Sequence, residues 1–498
     1  MLFNSIDFLL FFPLVTAIYF LLPHQIRWVW LLIASYYFYM CWNAKYALLI
    51  ALSTLITYLS GLLIRRAEAI PGEARRLRWK RLWVFLSFAS NLAILFFFKY
   101  FNFFLDNLAL ALSAAGIAFK RPAFDVMLPV GISFYTFQAL SYTADVYRGE
   151  VQAEKNPFRY ALFVSFFPQL VAGPIERSKN LLSQMYEHHT FDPDRVRNGL
   201  LLMLWGMFEK IVVADRLAAL VDYVYSPDNF SALPGTAIAL ATVFFAFQIY
   251  CDFAGYSHIA IGAAQVMGFR LMENFRRPYL AMSVADFWRR WHISLSTWFR
   301  DYLYIPLGGN RRGKARKYVN TMITFLVSGL WHGANWTFVV WGGLNGAYQV
   351  IGELLAPLRE RICQALHICP DSPFWRLART VFTFGLVDFT WLFFRAPSFS
   401  AARQMLVHMF TQPHPFVFMG MIFDLGLDKL SLFAALAGVA VLLAADLYQE
   451  HRGPLRPVIT RQILPVRWVI YLGAVLTVLI FGVYGPGYDA RAFTYFQF

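Results

Sequence analysis

Apolar stretches recur along this chain from residue 8 to residue 484, with only short polar breaks between them. Candidate spans fall at about 8–22, 28–41, 46–64, 83–98, 100–118, 126–142, 157–172, 197–213, 233–251, 255–269, 318–332, 334–355, 377–394, 431–447 and 466–484. A helix of about 20 apolar residues crosses a bilayer. Several stretches are shorter, so some pair into one bent helix or dip in and return. The reading is an all-α polytopic membrane protein with about eleven to thirteen crossings.

Composition closes off the alternatives. The chain is 59% hydrophobic and 15% charged, whereas soluble domains are roughly 45–50% apolar and 25% charged. That leaves no room for a soluble domain of ordinary size among the 498 residues. Residues 1–498 are read as a single membrane-embedded domain, with N-terminal helices over 1–125, a core over 126–355 and C-terminal helices over 356–498. The first apolar stretch lacks a basic leader and a small-residue cleavage site, so it is expected to be a retained span.

The net charge of +15 sits in loops between spans. Residues 65–81 carry seven Lys or Arg, and the segments 270–290, 310–317 and 452–467 are also basic. Positive loops stay in the cytosol, which accounts for the charge without nucleic acid as a partner. Such a face also attracts an anionic cytosolic substrate. The four cysteines show no paired spacing, and neither a disulfide framework nor a metal site is expected.

Three regions place Gly or Pro and hydrogen-bonding residues inside apolar sequence: Phe166–Pro174, Asp252–Gly262 and Val284–Gly309. Irregular backbone at membrane depth is tolerated only inside protein or beside a cavity. Together they predict a polar cavity built between residues about 130 and 350.

Three of the ten histidines stand out. His332 lies in an apolar run with Ser328, Trp331 and Asn335, flanked by Gly329 and Gly333. An ionisable group at membrane depth is a functional hypothesis by default. The run by itself equally admits a neutral histidine bonded to a neighbouring helix. His292 lies in a stretch where Trp288, Trp291, Leu295, Trp298 and Tyr302 share a face at helical spacing. That predicts one amphipathic helix at the interface, with His292 structural on local grounds. His258 follows Asp252 and Tyr256, which share a helix face; Asp252 needs a partner in so apolar a setting.

P-loop, GxSxG and HExxH patterns are absent from the sequence. A histidine serving as general base towards a hydroxyl remains available. Acyl transfer from a thioester suits that inventory, with Asn335 or backbone N–H groups as oxyanion donors.

Trp331-His332-Gly333, preceded by Phe287–Trp298 and by Arg300–Gly309, resembles the membrane-bound O-acyltransferase family. Pro129–Phe137, Asp145–Gly149, Phe167–Ile175, Tyr250–Ser257, Met272–Phe275 and Tyr495–Phe498 fit its bacterial branch, which holds the membrane subunit of alginate O-acetylation. The resemblance covers essentially the whole chain. It implies a ring of helices with re-entrant segments around a central funnel, in the bacterial cytoplasmic (inner) membrane. It implies a cytosolic acyl donor, acetyl-CoA, no bound cofactor and an exported polysaccharide as final acceptor. An extracytoplasmic SGNH-type acetyltransferase is the implied partner. The family's histidine pair maps onto His332 as catalytic base and His292 as its partner, while His258 becomes structural. Asp252, Tyr256, Asn335, Trp331, Trp298 and Arg300 are the expected substrate-binding residues. The stretch from about 356 to 430 departs from the alginate subunit. D-alanylation of teichoic acid from a carrier protein is a sister activity. A proton-coupled transporter is a third reading, disfavoured because no matching pair of broken helices is found.

Overall fold

The computed structural model describes residues 1–119, 128–414 and 420–484. The terminal Tyr495–Phe498 motif and the first residues of the expected span 126–142 lie outside them. Every regular element among the described residues is helical. Six of these helices are long and apolar enough to cross a membrane. The chain divides into two compact units, Met1–Leu200 with Ala260–Met272, and Leu201–Ile259 with Glu273–Phe498.

The first unit begins with α1 (Ile6–Leu21), α2 (His24–Met40) and α3 (Ala44–Ala67). Next come α4 (Glu73–Leu95) and α5 (Phe101–Ala114), joined through a π-turn at Phe96–Tyr100. The two expected spans 83–98 and 100–118 therefore form one 42-residue helix, Glu73–Ala114. Helix α6 (Ile132–Arg148) packs on α3. Tyr160, from the helix that follows, donates its hydroxyl to Thr57 Oγ1 over 2.8 Å, and its ring lies tilted against that of Tyr142, 4.4 Å between centroids.

The expected break at Phe166 is present. Helix α7 (Pro157–Ser165) stops and α8 (Phe167–Leu170) restarts after one extended residue. The Phe167 N–H would continue the helix to the Phe163 carbonyl, but donates to Ser35 Oγ instead at 3.1 Å. The carbonyl left over accepts from the side-chain amides of Gln138, at 2.6 Å, and Gln169, at 3.0 Å. The Phe167 N–H and the Phe163 carbonyl, both freed by the break, are thereby matched, as a dry interior requires. The chain then turns through α9 (Ser178–Gln184).

Helices α10 (Pro193–Met207) and α12 (Gly235–Met267) contribute to both units. In the second, α10 continues through a π-turn at Phe208–Ala214 into α11 (Asp215–Tyr225). Helix α12 corrects an expectation: Asp252–Gly262 is unbroken helix, and the stretches 233–251 and 255–269 are one element of 33 residues. Its Gly255 permits close packing, since a Cβ on the facing Gly206 would lie 2.5 Å from the Gly255 carbonyl oxygen.

Short helices α13 (Val284–Arg290) and α14 (Ile293–Phe299) follow, then α15 (Lys314–His332) and α16 (Trp336–Leu354). Beyond lie α17 (Ala356–Ala365), α18 (Pro373–Arg395), α19 (Phe399–Thr411), α20 (Lys429–Arg452), α21 (Leu455–Thr460) and α22 (Leu464–Phe481).

Helices α15 and α16 form the tightest hairpin of this unit. Gly342 and Gly346 stand four apart on α16, the small-residue spacing that lets membrane helices approach. A Cβ at Gly342 would lie 3.2 Å from the Gly329 Cα, and one at Gly329 would run into the Phe338 carbonyl. We expect Gly342→Val to separate the helices and cost about 1–3 kcal/mol. Thermal unfolding of detergent-solubilised protein should show a lowered Tm; an unchanged Tm would contradict this packing.

Candidate active site

His332 is the last residue of α15, and its position follows from the hairpin. Gly333 leaves the helix in extended conformation, and Asn335 caps α16 by accepting from the Thr337 N–H at 3.0 Å. The turn is therefore three residues long, Gly333 to Asn335, with the imidazole at its start. His332 is buried, and three rings enclose it: Trp331 and Trp341 at 5.0 Å between centroids, and Phe394 at 5.3 Å, all crossing steeply. The buried indole N–H of Trp341 meets no acceptor among the described residues.

His292 contradicts the expectation of one interfacial helix over 286–302. It stands between α13 and α14 with φ 42° and ψ 54°, a left-handed conformation rare outside glycine. The next N–H, of Ile293, points to the Asn274 carbonyl at 2.9 Å, and the Arg276 N–H donates to the Arg290 carbonyl at 2.8 Å. The stretch 274–276 thus takes up the backbone groups that the break releases. His292 is fully buried, with Nδ1 3.1 Å from Asn274 Oδ1 and its ring edge-on to Phe253 at 4.6 Å. Burial holds this imidazole, outside the spans, well below its usual pKa and so neutral.

Trp331 joins the two. Its indole lies 6.1 Å from the His292 ring on one side and 5.0 Å from His332 on the other. The structure therefore assembles His332, Trp331 and His292, taken from elements forty residues apart.

A cavity of about 1410 Å³ opens in the same unit. Arg276, Arg289, Arg300, Lys317, Arg359 and Arg379 lie on its walls with Trp288, Phe325 and Tyr348. Neither imidazole lines it directly. Ile293, next to His292, does, and so does Ser328, one turn before His332 on the same helix face. The Trp288 indole on the cavity wall, fixed by a 3.1 Å bond to Asn345 Oδ1, packs 5.5 Å from Trp341, whose ring lies 5.0 Å from His332.

The remaining expected residues distribute differently. Arg300 lines the cavity and pairs with Asp301 at 2.8 Å. Trp298 is buried against Phe299 and Tyr302. The Asn335 amide N–H donates to the Pro397 carbonyl at 3.2 Å while its oxygen caps α16, so both ends of the side chain hold the hairpin. Asp252 has the partner its setting demanded: buried Lys210, whose Nζ lies 2.6 Å from Asp252 and 2.8 Å from Asp215. Tyr256 lies under the same ammonium, 5.6 Å from ring centre. His258 pairs with Glu209 at 2.6 Å, and Tyr250 donates to Asp446 at 3.1 Å. Of the expected substrate-binding residues, Arg300 lies on the cavity wall, and Asp252, Tyr256, Asn335, Trp331 and Trp298 do not.

Asn274, Lys210, Trp341 and Phe394 escaped sequence reasoning. Lys210 carried the one usable signal, a charge inside the apolar stretch 197–213. The π-turn explains why it and adjacent Glu209 both face inward: an extra residue in the turn shifts the helix register.

Residues 152–365 match the sequence profile described as MBOAT, membrane-bound O-acyltransferase family. With the identities that follow, this chain belongs to that family, and it is a multi-pass membrane-bound O-acyltransferase. It is 41% identical to the probable alginate O-acetylase of Azotobacter vinelandii, over 82% of this chain and 78% of that one. Identity to the peptidoglycan O-acetyltransferase of Helicobacter pylori is 34%, over 76% and 73%. The teichoic acid D-alanyltransferase of Streptococcus thermophilus matches at 27%, over 53% and 68%.

Removing one partner from a buried ion pair costs about 3–5 kcal/mol. Lys210→Met takes the ammonium away from two carboxylates, so little folded protein should survive extraction and size-exclusion chromatography. Adding Asp252→Asn and Asp215→Asn should restore much of the yield. Equal yields for the single and triple variants would contradict this account.

Proposed function

We propose that this protein carries an acetyl group from cytosolic acetyl-CoA across the bacterial inner membrane, for O-acetylation of an exported cell-surface polysaccharide, with His332 as general base. One observation carries the reading: a buried imidazole ends the helix whose other end is basic, beside a large cavity with basic walls. Helix α15 starts at Lys314, and its 19 residues are about 28 Å long. With the basic end in the cytosol, His332 lies towards the opposite face. The cavity's cations suit the phosphates of a coenzyme A thioester, and its aromatic walls suit the pantetheine arm. The relatives named for alginate and peptidoglycan O-acetylation support a polysaccharide acceptor. An SGNH-type extracytoplasmic acetyltransferase would complete the transfer.

In the chemical step, neutral His332 takes the proton of the acceptor hydroxyl as that oxygen attacks the thioester carbonyl. Partial negative charge at the C-terminal end of α15 favours the imidazolium that forms. The Trp341 N–H donates to the developing oxyanion, a role its buried and otherwise unmatched hydrogen suits. Collapse expels the coenzyme A thiolate, which recovers the proton from His332. The aromatic enclosure keeps water from competing as acceptor.

His332→Ala should abolish ester formation on the exported polymer, measured colorimetrically, while the protein persists in the membrane. Normal acetylation would sink the assignment. Trp341→Phe keeps the ring and loses the N–H. It should lower kcat by about 10²–10³-fold, the cost of one oxyanion donor, with KM for acetyl-CoA little changed; unaltered kcat would remove Trp341 from the mechanism.

A further inference from the structure

Asn274 spends its whole side chain on the segment around His292. Its Nδ2 donates to Ser257 Oγ on α12 over 3.0 Å. Its Oδ1 faces His292 Nδ1 at 3.1 Å, Ser294 Oγ at 2.9 Å and the Ser294 N–H at 3.4 Å. The backbone N–H can only donate, so the atom facing it must be the amide oxygen. That settles which way the amide is turned. An amide oxygen can only accept, so the ring nitrogen facing it must carry hydrogen.

We infer that Asn274 is a positioning residue that holds neutral His292 as the Nδ1–H tautomer, making Nε2 the proton-accepting nitrogen at the site. Which ring nitrogen carries the proton is set by the bond the other one makes. The main-chain carbonyl of Asn274 reinforces this by accepting from Ile293, so one residue fixes both the left-handed turn and the tautomer. Ser257 anchors the arrangement to α12, the helix that also bears Asp252. The inference rests on reading His292 as a working residue of the acyl transfer, and it gives that residue an acceptor's role.

The carboxylates around His292 are each held by a cation or histidine of their own. On α12, Asp252 is bound by Lys210 and His258 by Glu209, and Tyr256 lies beside that ammonium. In the 273–277 segment, Arg276 pairs with Glu273 and Arg277 with Glu450. On α13, Arg290 pairs with Asp286 and Glu450. From α15, His332 faces the other side of Trp331. A carboxylate introduced at position 274 is thus the new charge that His292 would meet first.

The test uses full-length protein in proteoliposomes, with acetyl-CoA as probe. Thiol release is followed against pH, and ¹⁵N-histidine solid-state NMR reads the tautomer. The wild type should give an Nδ1–H, Nε2-unprotonated signal that disappears in His292→Ala. Asn274→Ala should lower kcat by about tenfold or more, the scale of lost acid–base function, and shift the tautomer signal. Asn274→Asp is nearly isosteric and still accepts from Nδ1. It should keep the tautomer, raise the proton affinity of the ring and move the acid limb of activity to higher pH. A merely structural role for Asn274 would lower activity at every pH without moving that limb. An Nε2–H signal for His292 in the wild type overturns the inference, as does an Asn274→Ala enzyme with unchanged kcat. Full activity in His292→Ala would instead defeat the reading of His292 beneath it, with the NMR result judged separately.

Discussion

Every backbone N–H and carbonyl that leaves a helix in a dry protein interior must find a partner there. The functional parts of this chain depend on how that demand is met. In the first unit the break after α7 is matched by Ser35, Gln138 and Gln169. In the second, the break between α13 and α14 is matched by the main chain of Asn274 and Arg276. Helix interrupted in this way can turn a side chain such as His292 into the interior. The cost is a left-handed residue, of order 1–3 kcal/mol, and such strain gathers at functional sites.

Charge is handled by the same economy. Lys210 sits between Asp215 and Asp252, and Glu209 holds His258. These groups tie the π-turn after α10 to α12, so the helix that supplies Ser257 and Phe253 behind His292 cannot slide. The ion pairs therefore act on the imidazole through the scaffold, at a distance from the reacting atoms.

Around the two imidazoles the packing is aromatic. Trp331, Trp341, Trp391 and Phe394 form a continuous set of ring contacts about His332, and Trp291 extends it through Trp391. A low-dielectric wall strengthens each hydrogen bond to a developing charge. The basic cavity lies just beyond Trp288. The basic cavity and the aromatic enclosure of His332 are thus adjoining environments, the first charged and the second apolar.

Much of this was legible in the chain itself. Recurrent apolar stretches determined an all-helical membrane body, because only helices and closed barrels satisfy backbone in lipid. The run around Trp331-His332-Gly333 marked a histidine whose burial demands a reason, though by itself it equally admits a structural role. The break at Phe166 was visible from Pro168 and Gly173. Other features needed partners far away in sequence. Asp252–Gly262 reads as broken because Gly and Asp usually interrupt apolar helix; Lys210 and the close approach of Gly206 make it continuous. The aromatic periodicity of 288–302 reads as one helix; Asn274 draws off the Ile293 N–H and splits it at His292. Asn335 reads as an oxyanion donor from the sequence; in the structure its oxygen caps α16 and one of its two N–H groups donates to Pro397. Periodicity and hydropathy are local and belong to the sequence. Which nitrogen, carbonyl or charge meets which partner is decided only when the helices pack, and that pairing sets the chemistry of the site.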